Sequence, residues 1–147
     1  MEKKHIENVE DMPVYQLFYE LALKIEKMSR PFRSDFKWLR SQLLIASESV
    51  CANMTEGFYS QYSTEYLQSL YRCRREARET MTHLNYAKDT HLSAVGDETL
   101  FSGYEDALHQ LGNLITSIER KISVHGKNKP ATRPSSFINH KPSTIDH

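Results

Sequence analysis

Helix breakers are scarce in this chain. Of 147 residues five are glycine and five proline, and three of the prolines (Pro130, Pro134 and Pro142) fall among the last eighteen. A body so poor in turn residues favours long helices over strands and tight turns. Cysteine is scarcer still. Cys51 and Cys73 are the only two, and they form no C-x-x-C pair, so packed, reduced thiols in a cytosolic protein are expected ahead of a disulfide. The opening Met-Glu-Lys-Lys-His-Ile-Glu lacks the apolar core of a signal peptide. No apolar run approaches the roughly 20 residues of a membrane span. The expectation is a cytoplasmic protein with no membrane partner. Net charge is also lacking, with 19 basic residues against 19 acidic ones. From Val124 onward, however, Lys127, Lys129, Arg133 and Lys141 face only Asp146, so the tail carries a surplus of three positive charges. That is a weak footprint for nucleic-acid binding, which usually concentrates basic residues in one patch.

What is present is helical periodicity in one domain-sized block. Residues 1–10 are charged and expected to fray. Asp11 can cap a first helix with Pro13 in its first turn, and Val14, Leu17, Phe18, Leu21, Ile25 and Met28 recur at steps of three and four until Pro31. Ser34 or Asp35 can cap a second helix. Its seam Leu39, Leu43, Ala46, Val50, Asn53 and Gly57 steps as a heptad, with Gly57 placed as the left-handed residue just past the helix end. Ser63 caps a third helix, with seam Tyr66, Leu70, Cys73, Ala77, Thr80, Leu84 and Ala87. The small Cys73 and Ala77 let a neighbouring helix approach, with Ala46 a matching small residue. His91 to Gly96 read as a loop and Asp97 as the cap of a fourth helix, whose stripe is Phe101, Tyr104, Leu108, Leu111, Ile115, Ile118 and Ile122. Gly103 and Gly112 lie off that stripe without an evident reason. Four helices joined by short loops predict an all-α fold, an antiparallel up-down-up-down four-helix bundle over 11–123. Residues 124–147, rich in Lys, Asn, Pro and Ser, predict a flexible basic tail.

The second helix and the start of the third carry a recognisable pattern. Leu39-Arg-Ser-Gln42, then Ser49-Val50-Cys51-Ala52-Asn53-Met54-Thr55-Glu56-Gly57-Phe58, then Ser63, Glu65, Tyr66, Leu67, Leu70 and Arg74 resemble the 23S rRNA intervening-sequence proteins. Those proteins show L-x-S-Q-[IL], S-[IV]-P-A-N-I-A-E-G-F and E-[FY]-L-x-x-L-x-x-A-R. Asp11, Val14 and Tyr15 match the family's opening, and the resemblance spans about residues 10–123. Departures are Cys51 in place of the usual proline, Leu44 and Ile45 where basic residues are common, and Arg75-Glu76 in place of Gly-Ser. The resemblance implies an antiparallel four-helix bundle assembled as a ring-like homo-oligomer, often a pentamer, with no established enzymatic activity. It also implies distant kinship with accessory proteins of diversity-generating retroelements, which are partners of nucleic acid and reverse transcriptase.

Each candidate site carries a structural alternative. Asn53 and Glu56 can hold a ligand, or Asn53 can fix register at a seam position. The structural reading is favoured, because buried polar groups need partners whatever the function. Arg72, Arg74, Arg75 and Arg78 are the one basic cluster of the body. Arg75 can pair with Glu79 and Arg72 with Glu76, so an inter-subunit or solvated salt-bridge face stands ahead of a phosphate-binding surface. If RNA or DNA binds, these arginines with Lys127 and Lys129 are the expected contacts. Tyr15, Tyr19, Leu23, Leu44, Ile45 and Tyr71 put apolar area off the seams, the expected mark of a homo-oligomer interface. The seven histidines include no i,i+4 pair, no H-E-x-x-H and no pair of Glu-x-x-His motifs such as di-iron bundles use, so no metal site or cofactor is expected. No nucleophile motif suggests catalysis. The expected function is a non-enzymatic homo-oligomeric assembly or scaffold protein that can also bind nucleic acid. The alternative, a small-ligand- or metal-binding bundle with a catalytic role, finds no constellation on the seams.

Overall fold

The structure, a computed structural model, describes residues 5–90 and 98–125. It consists of α1 (Pro13–Ser29), α2 (Lys37–Phe58), α3 (Ser63–Asp89) and α4 (Glu98–His125), with short 3-10 turns at Val9–Asp11 and Ser34–Phe36. Among the described residues there is no strand. The expected loop 91–96, the cap Asp97 and the tail lysines Lys127 and Lys129 lie outside the described residues, as does the tail from 126 on.

Sequential helices are antiparallel neighbours. Thr55 lies beside Tyr15 while Arg40 reaches Glu26, so α2 runs against α1. Along α2 and α3, Gly57 meets Ser69 and Trp38 meets Tyr86. Tyr71 bonds Glu119, and Lys88 approaches Glu98 at the other end of α4. Gly103 faces Leu21, which closes α4 back onto α1. This is the up-down-up-down bundle that the periodicity predicts, and α2 against α3 is its most extensive pairing.

The third-helix seam is buried at every expected position, from Tyr66 to Ala87. Thr80, the polar member, donates its hydroxyl to the Glu76 carbonyl at 2.8 Å, so nothing is left unsatisfied there. On α4 the core takes Leu100, Tyr104, Ala107, Leu111, Ile115 and Ile118, with Phe101, Leu108 and Ile122 packed partly against it. Tyr104 is wholly buried, tilted against Phe18 at 6.1 Å between ring centres.

Four details correct the sequence expectations. The segment expected to fray is docked at its end. Val9 is wholly buried and donates its amide to the Tyr59 hydroxyl, while the Asp11 carboxylate accepts the amides of Glu7 and Asn8. Asp11 therefore holds the turn before α1, and Met12, in extended conformation, occupies the cap position. Ser63 is the first residue of α3, with Tyr62 at the cap position and its amide held by the Glu65 carboxylate at 3.1 Å. On α2 the core residue is Met54, fully buried, whereas Asn53 is half-buried on the flank. At about 100° per residue the buried residues of α2, which include Ser47, Cys51 and Phe58 beside the expected seam, form a stripe centred to one side of that seam, so Met54 falls near its middle and Asn53 at its edge.

Gly57 is the fourth correction. It lies inside α2 and is not a left-handed residue beyond the helix. A Cβ placed on it would sit 2.4 Å from the Ser69 Cβ and 2.9 Å from its Oγ. The glycine is there because α3 passes too close for any side chain. Gly103 acquires a similar reason, since its Cβ would meet Leu21 Cδ2 at 2.7 Å, although that methyl ends a flexible side chain and can move.

Candidate functional site

Two features flank α2, a polar network toward α3 and an apolar groove toward α1. The network is built by one arginine. Arg72 Nε donates to Asn53 Oδ1 at 3.3 Å and its Nη2 to Ser69 Oγ at 3.2 Å, with a Glu56 carboxylate oxygen 3.8 Å away. Asn53 turns its amide nitrogen to the Ser49 carbonyl at 2.8 Å. Asn53 and Glu56, two of the three conspicuous motif residues, thus receive one guanidinium from the neighbouring helix. Gly57, the third, lets α3 come close enough to deliver it. Their arrangement is that of an interhelical clamp, with both Asn53 polar atoms already used.

The arginine cluster does not form one surface. Arg72 is drawn into the clamp, and Arg74 stacks over the Tyr71 ring at 5.3 Å, next to the Tyr71–Glu119 hydrogen bond of 2.6 Å. That bond, with burial second, pushes the Tyr71 hydroxyl above its ordinary pKa. Arg75 and Arg78 are exposed and form no ion pair with any described residue. The expected Arg75–Glu79 pair is absent, and Glu79 instead stands 3.6 Å from His83 Nε2 on the following turn. A carboxylate oxygen of Glu56, a residue of the neighbouring helix, stands opposite Arg72.

The groove between α1 and α2 has a volume of about 720 Å³. Tyr15, Tyr19, Leu23 and Leu44, four of the six residues expected at an interface, line it together with Cys51, Ala52 and Thr55. Tyr15 and Tyr19 stack at 5.9 Å, and Leu23 is 54% exposed. Leu44, expected to face solvent, is half-buried against the core and lines the groove. Ile45, at 61% exposed, stands outside the groove lining. Tyr71 lies on the far side of the molecule, against α4. One end of the groove is tied by Glu26, which accepts from Arg30 and Arg40. The Arg30 hydrogen bond chiefly holds the Glu26 carboxyl below its usual range.

Sequence reasoning missed an aromatic pair on the α2–α3 side. Trp38, 52% exposed, packs edge-on against Tyr86 at 5.7 Å. The available signal was spacing, because Trp38 lies seven residues before Ile45 on one helix face. The thiols are unbridged and buried. Cys73 directs its sulfur to the Val50 carbonyl at 3.3 Å. Burial, reinforced by Glu48, pushes the Cys51 thiol up to about 12, and burial raises Cys73 as well. Neither is a poised nucleophile. Among the described residues no group of three or more His, Cys, Asp or Glu side chains is placed to hold a metal ion, and no described helix is long and apolar enough to cross a membrane.

Fold and site together define a helical-bundle protein with a built interhelical clamp and an open apolar groove. The family model of the 23S rRNA-intervening sequence proteins matches residues 10–117, and the chain belongs to that family. None of the curated proteins matches it.

Proposed function

We propose that the protein is a non-enzymatic self-assembling module whose copies meet across the α1–α2 groove, in the ring-like homo-oligomer, a pentamer in many relatives, that the family resemblance implies. The observation that carries this is apolar exposure. A groove of about 720 Å³ is lined by Tyr15, Tyr19, Leu23 and Leu44, with Ile45 standing beside Leu44 in the chain at 61% exposure. Contiguous apolar surface of this kind, flanked by polar residues, marks protein interaction sites. The motif residues serve the scaffold, since Asn53 and Glu56 clamp α3 through Arg72.

A competing reading gives Arg75 and Arg78, exposed and without an ion pair to a described residue, to nucleic acid. Once Arg72 and Arg74 are engaged within the chain, the described body offers two adjacent guanidinium groups, a small electrostatic footprint. Native mass spectrometry of the full chain, purified without nuclease treatment, tests both statements. A discrete multimer is expected. Added nucleotide mass supports the RNA or DNA role, a clean multimer leaves self-assembly alone, and a clean monomer refutes the assembly.

A further inference from the structure

The candidate occupant, which rests on that reading, lies on another face of the same molecule. The outward face of α3 carries Arg75, Arg78, Thr82 and Tyr86 at steps of three, four and four, and all four are exposed. At about 100° per residue they form one stripe turned away from the seam Cys73, Ala77, Thr80 and Leu84. Neither arginine is ion-paired to a described residue, and Tyr86 extends the stripe into Trp38. The groove has the opposite sign. Glu48 lines it, and Glu10 and Glu20 flank Tyr15 and Tyr19 in the depression that adjoins it. None of these three carboxylates is ion-paired to a described residue.

We infer that the occupant of the α1–α2 groove is the outward face of α3 from a second copy of this chain, with Arg75 and Arg78 set against the unpaired carboxylates that border the groove. Tyr86 and the adjoining Trp38 meet the tyrosine and leucine side chains of the groove, and the charges set partner and orientation. The two surfaces are different patches of one molecule, so the contact is head-to-tail. A head-to-tail contact repeats around a ring when its rotation closes, whereas a two-fold contact stops at a dimer. Arg75 and Arg78 are then inter-subunit groups and are withdrawn from nucleic acid.

The test uses two full-length variants. R75E/R78E reverses the α3 stripe, and L23K places a cation in the groove. All three positions are exposed, so both variants should keep wild-type helicity by circular dichroism. Each alone is expected to lose the multimer peaks in native mass spectrometry and run as monomer. Mixed at equal concentration they should form a 1:1 heterodimer, because each retains the surface the other has lost. A wild-type monomer refutes the assembly reading and this inference together. A wild-type multimer with R75E/R78E still fully assembled refutes the inference and leaves self-assembly intact. Two monomeric variants that stay apart on mixing also refute it, pointing to surfaces that mate with themselves. Unchanged assembly with loss of bound nucleotide mass in R75E/R78E would assign the arginines to a polyanion instead. If the charge reversals lower helicity, R75Q/R78Q and L23Q remove the attraction without adding repulsion, and the same outcomes decide.

Discussion

Gly57→Ala separates two explanations of the same glycine. If Gly57 merely ended a helix in the left-handed region, alanine would cost about 1 kcal/mol through backbone strain and nothing beyond the residue would feel it. In the structure Gly57 is helical, and the added methyl would lie 2.4 Å from the Ser69 Cβ and 3.1 Å from the Tyr66 ring. A Cβ is anchored to the backbone, so α3 must move as a body. Overpacking of this kind costs about 1–3 kcal/mol, occasionally more, and an overlap this deep belongs in the upper half of that range. Alanine recovers about 1 kcal/mol of helix propensity over glycine, leaving a net loss of about 1–2 kcal/mol. For a chain of this size each kcal/mol lowers Tm by roughly 2–4 °C. The decisive assay is a double-mutant cycle with Ser69→Gly, by urea unfolding at one fixed protein concentration. Removing the Ser69 Cβ should restore room, giving a favourable coupling of about 1–2 kcal/mol within the range seen for residues in contact. A Gly57→Ala variant as stable as wild type, or a cycle with no coupling, would refute the close-approach argument.

The other expectations rest on separate parts of the molecule. Arg72→Ala removes the donor shared by Asn53, Ser69 and Glu56; because the cluster is only partly buried, a loss of about 1 kcal/mol is expected by chemical denaturation, and an unchanged midpoint would count against the clamp. Ile45→Glu should lower the oligomer order in light scattering without unfolding the bundle, so helicity by circular dichroism stays at the wild-type level; full assembly of this variant would remove Ile45 from the proposed interface. The Cys51 thiol is raised from 9.0 to about 12 in the folded chain. Below pH 9 both states keep the proton and nothing is lost. Above it the unfolded chain ionises first, so stability should fall as pH rises from about 9 to about 12, and Cys51→Ala should flatten that slope in urea midpoints measured against pH. Burial keeps the Cys51 thiol protonated at pH 8, so alkylation by iodoacetamide should wait for unfolding; fast labelling of the native protein would contradict the burial.

The bundle was legible because its signals are local. Steps of three and four on α3 and α4, Pro13 at a helix start and the shortage of breakers each act within a few residues, and the buried set on α3 matches the expected seam at every position. The same local reading failed where it assumed an ideal repeat. The heptad reading puts Asn53 on the core stripe, whereas the burial of Ser47, Cys51 and Phe58 centres the stripe to one side of the seam and gives its middle to Met54. The residues of the groove were half legible. Tyr15, Tyr19 and Leu23 could be read off α1, but that Leu44 joins them while Ile45 and Tyr71 do not depends on which helix packs beside which.

By itself, the sequence determined the class of fold, the four helical stripes and the family pattern around Ala52-Asn53 and Glu56-Gly57, because periodicity and short motifs are properties of neighbouring residues. Only the tertiary structure decided what the motif does. That Gly57 exists for Ser69 and that Arg72 answers Asn53 and Glu56 are relations between residues 12 to 19 positions apart. They are set by how closely α2 and α3 approach and by which charges each helix turns toward the other, and no local signal carries that distance.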